Sequence, residues 1–81
     1  MNKNYVMREA KKLHKQLVGR TNELMNGLLN YPVGTPGYSK EFKVFIECQE
    51  MSMRLSQAIY NKEYKKLVTM LVKHGYEIEG V

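Results

Sequence analysis

The sequence contains no aspartate and no tryptophan, one cysteine, two prolines and no long apolar run. With Cys48 alone an internal disulfide is impossible, and a short chain without that staple is expected in a reducing compartment or as part of a larger assembly. A zinc site wants four Cys or His ligands, or three with an open position. Cys48, His14 and His74 are the whole supply, and they lie far apart in the chain. Because Asp is missing and the glutamates follow no loop spacing, a carboxylate cage for a hard cation is not expected either. No window approaches the roughly 18 apolar residues of a spanning helix, and the opening MNKNYVMREAKK has no apolar signal-peptide core. These absences predict a cytoplasmic protein with no membrane span, no metal and no cofactor.

What is present suits a small folded domain. Hydrophobic residues make up 43% of the 81 and charged residues 26%, which is too apolar for a disordered chain. A chain this short buries only about 60–65% of its unfolded surface, so two or three helices can share one core and the margin of stability is thin. Charge is placed unevenly. Residues 1–20 hold Lys3, Arg8, Lys11, Lys12, Lys15 and Arg20 against Glu9 alone, whereas residues 21–81 hold seven basic and seven acidic side chains.

From Asn4 to Asn30, the positions Val6, Ala10, Leu13, Leu17, Thr21, Leu24 and Leu28 recur at intervals of three and four, the mark of an amphipathic helix. A second seam, Val18, Met25 and Leu29, widens the stripe toward its end. Gly19 and Gly27 interrupt it at a cost of about 1 kcal/mol each relative to Ala, and the expected reason is close approach of another helix.

Both prolines then fall in NYPVGTPGYS, residues 30–39. Pro32 ends the helix, Pro36-Gly37 matches the centre of a type II turn, and Ser39 is the expected cap of a second helix with Glu41 in its first turn. That helix shows Val44, Phe45, Cys48, Met51, Leu55, Ala58 and Ile59 at helical spacing. So short a connection predicts an antiparallel pair in which level positions sum to about 69. Near YNKEY two readings stand. Asn61 caps a separate helix with the stripe Tyr64, Leu67, Val68, Leu71 and Val72, or the second helix runs straight through and leaves that stripe exposed. The separate, folded-back helix is the reading adopted. Gly75 suits its end, and GYEIEGV reads as a tail or a lone strand.

The predicted architecture is therefore all-α and single-domain, a long antiparallel helical hairpin plus a shorter C-terminal helix, oligomeric in solution. Its segments are a helix over 4–30, a bend over 31–38, helices over 39–60 and 62–74, and a tail over 75–81.

Catalysis finds no support in this layout. In the antiparallel register Cys48 faces the neighbourhood of Thr21, while His14 is level with residue 55, roughly 10 Å away along the helix at 1.5 Å per residue. VGTPGYS lacks the GK[ST] ending of a phosphate loop and carries prolines where N–H donors are needed. The chain is expected to be no enzyme, with no catalytic residues, and to act by binding.

The leading expectation is a non-enzymatic helical interaction module, an adaptor, inhibitor or regulatory protein that forms a homodimer and binds a protein partner. Arg8, Lys11, Lys12 and Lys15 share one side of the first helix and would meet an acidic protein surface, with Tyr64, Leu67 and Leu71 as apolar anchors. The alternative is nucleic-acid binding through the same basic patch. Against it stand the lack of a short helix-turn-helix connector and the presence of only one arginine, Arg8, in the patch. Arg20 is expected opposite Glu47 and Glu50. A membrane-surface role ranks last, since the first helix sets Ala10, Leu13 and Leu17 opposite its lysines with no Trp or Phe.

Overall fold

A computed structural model describes residues 2–78, and the chain is all-helical: α1 spans Lys3–Leu28, α2 Pro36–Tyr60 and α3 Tyr64–Lys73, with no strand among the described residues. Residues 75–78 follow α3 without regular structure, and the rest of the expected tail, 79–81, lies outside the described residues. Asn2 opens α1 by accepting a hydrogen bond from the Tyr5 amide at 3.0 Å. The helix closes in a tighter turn, in which Leu29, Asn30 and Tyr31 donate to the carbonyls of Asn26, Gly27 and Leu28 just before Pro32.

Two local expectations are corrected here. A Cβ added to Gly19 or Gly27 would meet nothing within 4 Å, so neither glycine admits a neighbouring helix, and both are plain weak points of α1. The type II turn sits three residues earlier than expected. Thr35 donates its amide to Pro32 at 3.3 Å and Gly34 takes the positive φ of +89°, so Val33-Gly34 is the central pair. Pro36 is then free to occupy the first position of α2, where its missing N–H costs nothing. Thr35, not Ser39, is the cap: its hydroxyl accepts from the Tyr38 amide at 3.3 Å and donates to Pro32 at 2.8 Å. Proline's fixed φ serves a turn and a helix start equally well, which is why residues 36–38 belong to the helix instead of the bend. Gly37 admits the Tyr31 ring, whose carbons would lie 2.8 and 2.9 Å from an added Cβ.

The junction at residues 61–63 resolves the open choice in favour of a separate third helix. Lys62 donates its amide to Ile59 and Glu63 donates to Ala58, the paired closing bonds of a Schellman motif, and Lys62 adopts φ +54° to make them. A lysine thus holds the left-handed position that glycine normally fills. Glu63, not Asn61, precedes α3, and its side chain makes no capping bond. The end of α3 repeats the motif with the usual residue: Gly75, at φ +86°, donates to Val72 and Tyr76 donates to Leu71.

These two reversals collect the core at one end of the molecule. Val6, Ala10 and Leu13 of α1, Leu55 and Ala58 of α2, and Leu67, Val68 and Leu71 of α3 form one buried cluster, with Tyr64, Tyr76 and Ile78 packed against it. Farther along α1, Leu24 and Leu28 are also buried. There Thr21 Oγ1, which donates to the Leu17 carbonyl at 2.7 Å, meets Cys48 Sγ at 3.3 Å. The molecule measures 47 × 20 × 15 Å with a radius of gyration of 15.0 Å, against about 12 Å for a compact chain of this length. A long, thin body leaves much helical surface uncovered.

Because a left-handed lysine costs about 1–2 kcal/mol, replacing Lys62 by glycine is expected to raise stability by roughly 1 kcal/mol in urea titration. A loss of about 1 kcal/mol would instead mean that α2 and α3 are one helix.

Candidate functional site

The four residues of the expected charge patch do lie together on the exposed side of α1, around a shallow concavity shared with Asn4 and Met7. Their charge is partly offset. The Glu9 carboxylate sits 3.8 Å from Arg8 and 3.4 Å from Lys12, whereas Lys11 and Lys15 have no carboxylate within 4 Å among the described residues. Arg20 does not reach α2: it pairs with Glu23 at 3.7 Å within its own helix, and Glu50 pairs with Arg54 at 3.9 Å. Such exposed, same-helix pairs contribute only a few tenths of a kcal/mol, so the acidic residues of α2 remain uncommitted to α1.

The expected apolar anchors are placed differently from the sequence reading. Leu67 and Leu71 are completely buried in the chain's own core, and Tyr64 is half-buried with the Lys3 ammonium 5.2 Å above its ring. The cause is the reversal at Lys62, which turns the strongest apolar stripe of the C-terminal segment inward against Val6, Ala10 and Leu55. Leu67 and Leu71 offer no free surface to a partner, and Tyr64 offers only part of its ring.

Uncovered apolar surface lies on the long helices instead. On α1, Val18, Met25 and Leu29 are 39, 49 and 86% exposed and, at 100° per residue, fall within an arc of about 40°. On α2, Phe42, Met53 and Tyr60 are 43, 64 and 86% exposed and fall within about 20°. Gln49 occupies the remaining position of the α2 stripe and His14 extends that of α1, so between His14 and Leu29 and between Phe42 and Tyr60 neither stripe contains a formally charged side chain; Lys11 continues the α1 line beyond His14. His14, Met53 and Tyr60 line one concavity, which puts the two stripes side by side at that level. Tyr38 stacks on Phe42 at 6.0 Å between centroids and Phe45 follows at 6.2 Å, adding aromatic area next to the α2 stripe.

The α1 seam is evident from its spacing of seven and four. The α2 stripe is missed, because its members stand seven, eleven and eighteen residues from Phe42 and are hidden between stronger core positions.

No protein-family description, curated protein or solved structure matches this chain. No helix among the described residues is long and apolar enough to cross a membrane.

Full burial of Leu71 sets a testable cost. Leu71→Ala is expected to lose about 2–5 kcal/mol, enough to abolish the cooperative thermal transition of so small a core in circular dichroism. An unchanged transition would return Leu71 to the surface.

Proposed function

We propose that this chain is a small non-enzymatic helical interaction module, regulatory in character, that self-associates and binds a protein partner. The observation that carries the reading is the pair of exposed, uncharged stripes on α1 and α2, which no other part of the chain covers among the described residues. In this reading α1 and α2 form an antiparallel hairpin. Support comes from the meeting of Thr21 with Cys48, whose numbers sum to 69, and from the Tyr31 ring lying against Gly37 where the chain reverses.

The register then assigns the stripes to one face. Val18 and Met53 each follow an inward residue, Leu17 and Ser52, by one step of about 100°. In helices of opposite direction, equal rotations point to the same side. The shared concavity of His14 and Met53 agrees with this. Ala58, on which α3 packs, is about 160° around α2 from Phe42, so α3 stands on the other side. A basic chain that pairs with its own copy needs a contact free of like charge, and this face is the one that supplies it. Two hairpins laid face to face make a four-helix bundle, the standard way to bury such stripes.

Sedimentation equilibrium tests the reading. The 9.5 kDa chain is expected to run at twice that mass at tens of micromolar, and Met25→Asp with Met53→Asp to return it to 9.5 kDa with unchanged helicity. A monomeric parent protein sinks the self-association.

Nucleic-acid binding is kept as a second reading on one observation, the exposed lysines Lys11 and Lys15 with no carboxylate within 4 Å among the described residues. Its signature is a steep loss of affinity with salt as counterions are released. Titration of labelled single- and double-stranded DNA and RNA is expected to show binding at low salt only. Micromolar affinity that survives near-physiological salt and is lost in Lys11→Glu with Lys15→Glu would favour nucleic acid over protein.

A further inference from the structure

Between α2 and α3 runs a groove of about 560 Å³, separated from the concavity that joins the uncharged stripes by Arg54 and Gln57, which border both. Its α2 wall carries Met51, Arg54 and Ala58, and its α3 wall Lys66, Met70 and Lys73. Met51, Ala58 and Met70 give it apolar lining. Arg54, Lys65, Lys66 and Lys73 line it with Glu63; Lys66 is paired with Glu63 at 3.2 Å and Arg54 with Glu50 at 3.9 Å, which leaves Lys65 and Lys73 without a carboxylate within 4 Å among the described residues. At its end His74 Nδ1 lies 2.9 Å from the Met70 carbonyl, which leaves the other ring nitrogen uncommitted.

We infer that this groove is the partner site of the module, and that it takes a short amphipathic helix of a partner protein carrying carboxylates beside its apolar residues. The inference rests on the protein-interaction reading above and gives it a place and a chemistry. Charge complementarity selects acidic over basic or neutral segments, since the groove bears a net positive charge. Methionines on both walls suit a helix laid in a groove, because unbranched thioethers adapt to different side chains. A segment of about ten residues, 15 Å at 1.5 Å per residue, matches the length of α3.

The lining argues against a nucleic-acid strand. No Phe, Tyr or Trp borders the groove, which leaves bases only the His74 ring and the Arg54 guanidinium to stack on, and the apolar lining would face a phosphate backbone with nothing to bury. Self-association leaves the α3 wall of the groove accessible, since that wall borders the groove and not the concavity between the stripes, and the two share Arg54 and Gln57 alone.

Selection from a random sixteen-residue peptide library displayed on phage tests the inference with the full chain. Enriched peptides are expected to place Asp or Glu beside Leu, Ile, Met or Phe at helical spacing. Their synthetic, fluorescein-labelled forms are expected to bind with micromolar Kd, to weaken at least tenfold against Lys66→Glu with Lys73→Glu, and to be unaffected by Met25→Asp with Met53→Asp. Both lysines are exposed, and far-UV circular dichroism confirms that the variant keeps its helices. Enriched peptides without acidic residues, or peptides released by the methionine changes and not by the lysine changes, overturn the groove while leaving the interaction module standing. No enrichment, together with binding of a labelled twenty-nucleotide RNA at near-physiological salt that the lysine changes abolish, overturns both.

Discussion

Burial of Leu67 and Leu71 against Val6, Ala10 and Leu55 is the interaction on which the remaining surfaces depend. Each fully buried leucine contributes about 1.5–3 kcal/mol relative to exposure, a large share of the few kcal/mol available to a domain this small. To gain that burial the chain must turn sharply after Tyr60. It does so at Lys62 in a conformation that costs a lysine about 1–2 kcal/mol. The exchange is favourable because one strained residue secures three buried ones, Leu67, Val68 and Leu71.

The same reversal determines where the chain is left open. α3 has 10 residues against 26 and 25 in the long helices, so it covers one end and one side of them only. The opposite side of both long helices retains Val18, Met25, Leu29, Phe42, Met53 and Tyr60 in contact with water. Apolar exposure on this scale along one line, without charges between, marks an association surface more often than a solvated one.

Much of the fold is legible in the residues. The seven-position stripe of α1 is nearly the observed set of inward residues, and Thr21 and Cys48 meet where an antiparallel register would put them. The start of α2 and the choice at residues 60–64 are less legible, for definite reasons. Pro36 is compatible with a turn centre and with a helical first position, and only the hydroxyl of Thr35 distinguishes the two. Lys62 offers no glycine signal although it performs the task of one. Of the candidate sites, the Arg8, Lys11, Lys12 and Lys15 patch is exposed as read, while Tyr64, Leu67 and Leu71 are claimed by the core.

Averaging conceals the remaining surface. Residues 21–81 balance to zero charge, yet residues 54–74 alone contain Arg54, Lys62, Lys65, Lys66 and Lys73 against Glu63, so their surplus is cancelled on paper by glutamates elsewhere in the chain. Screening confines that cancellation to near neighbours such as Glu50, 3.9 Å from Arg54. At physiological salt the Debye length is about 8 Å, whereas the molecule is 47 Å long, so a basic end feels little of the acidic residues at the other. The protein therefore presents an uncharged face and a positive groove along one helix. The proposed association through the first, which tolerates no charge, and the proposed recognition through the second, which requires it, would meet at Arg54 and Gln57 and otherwise draw on different residues.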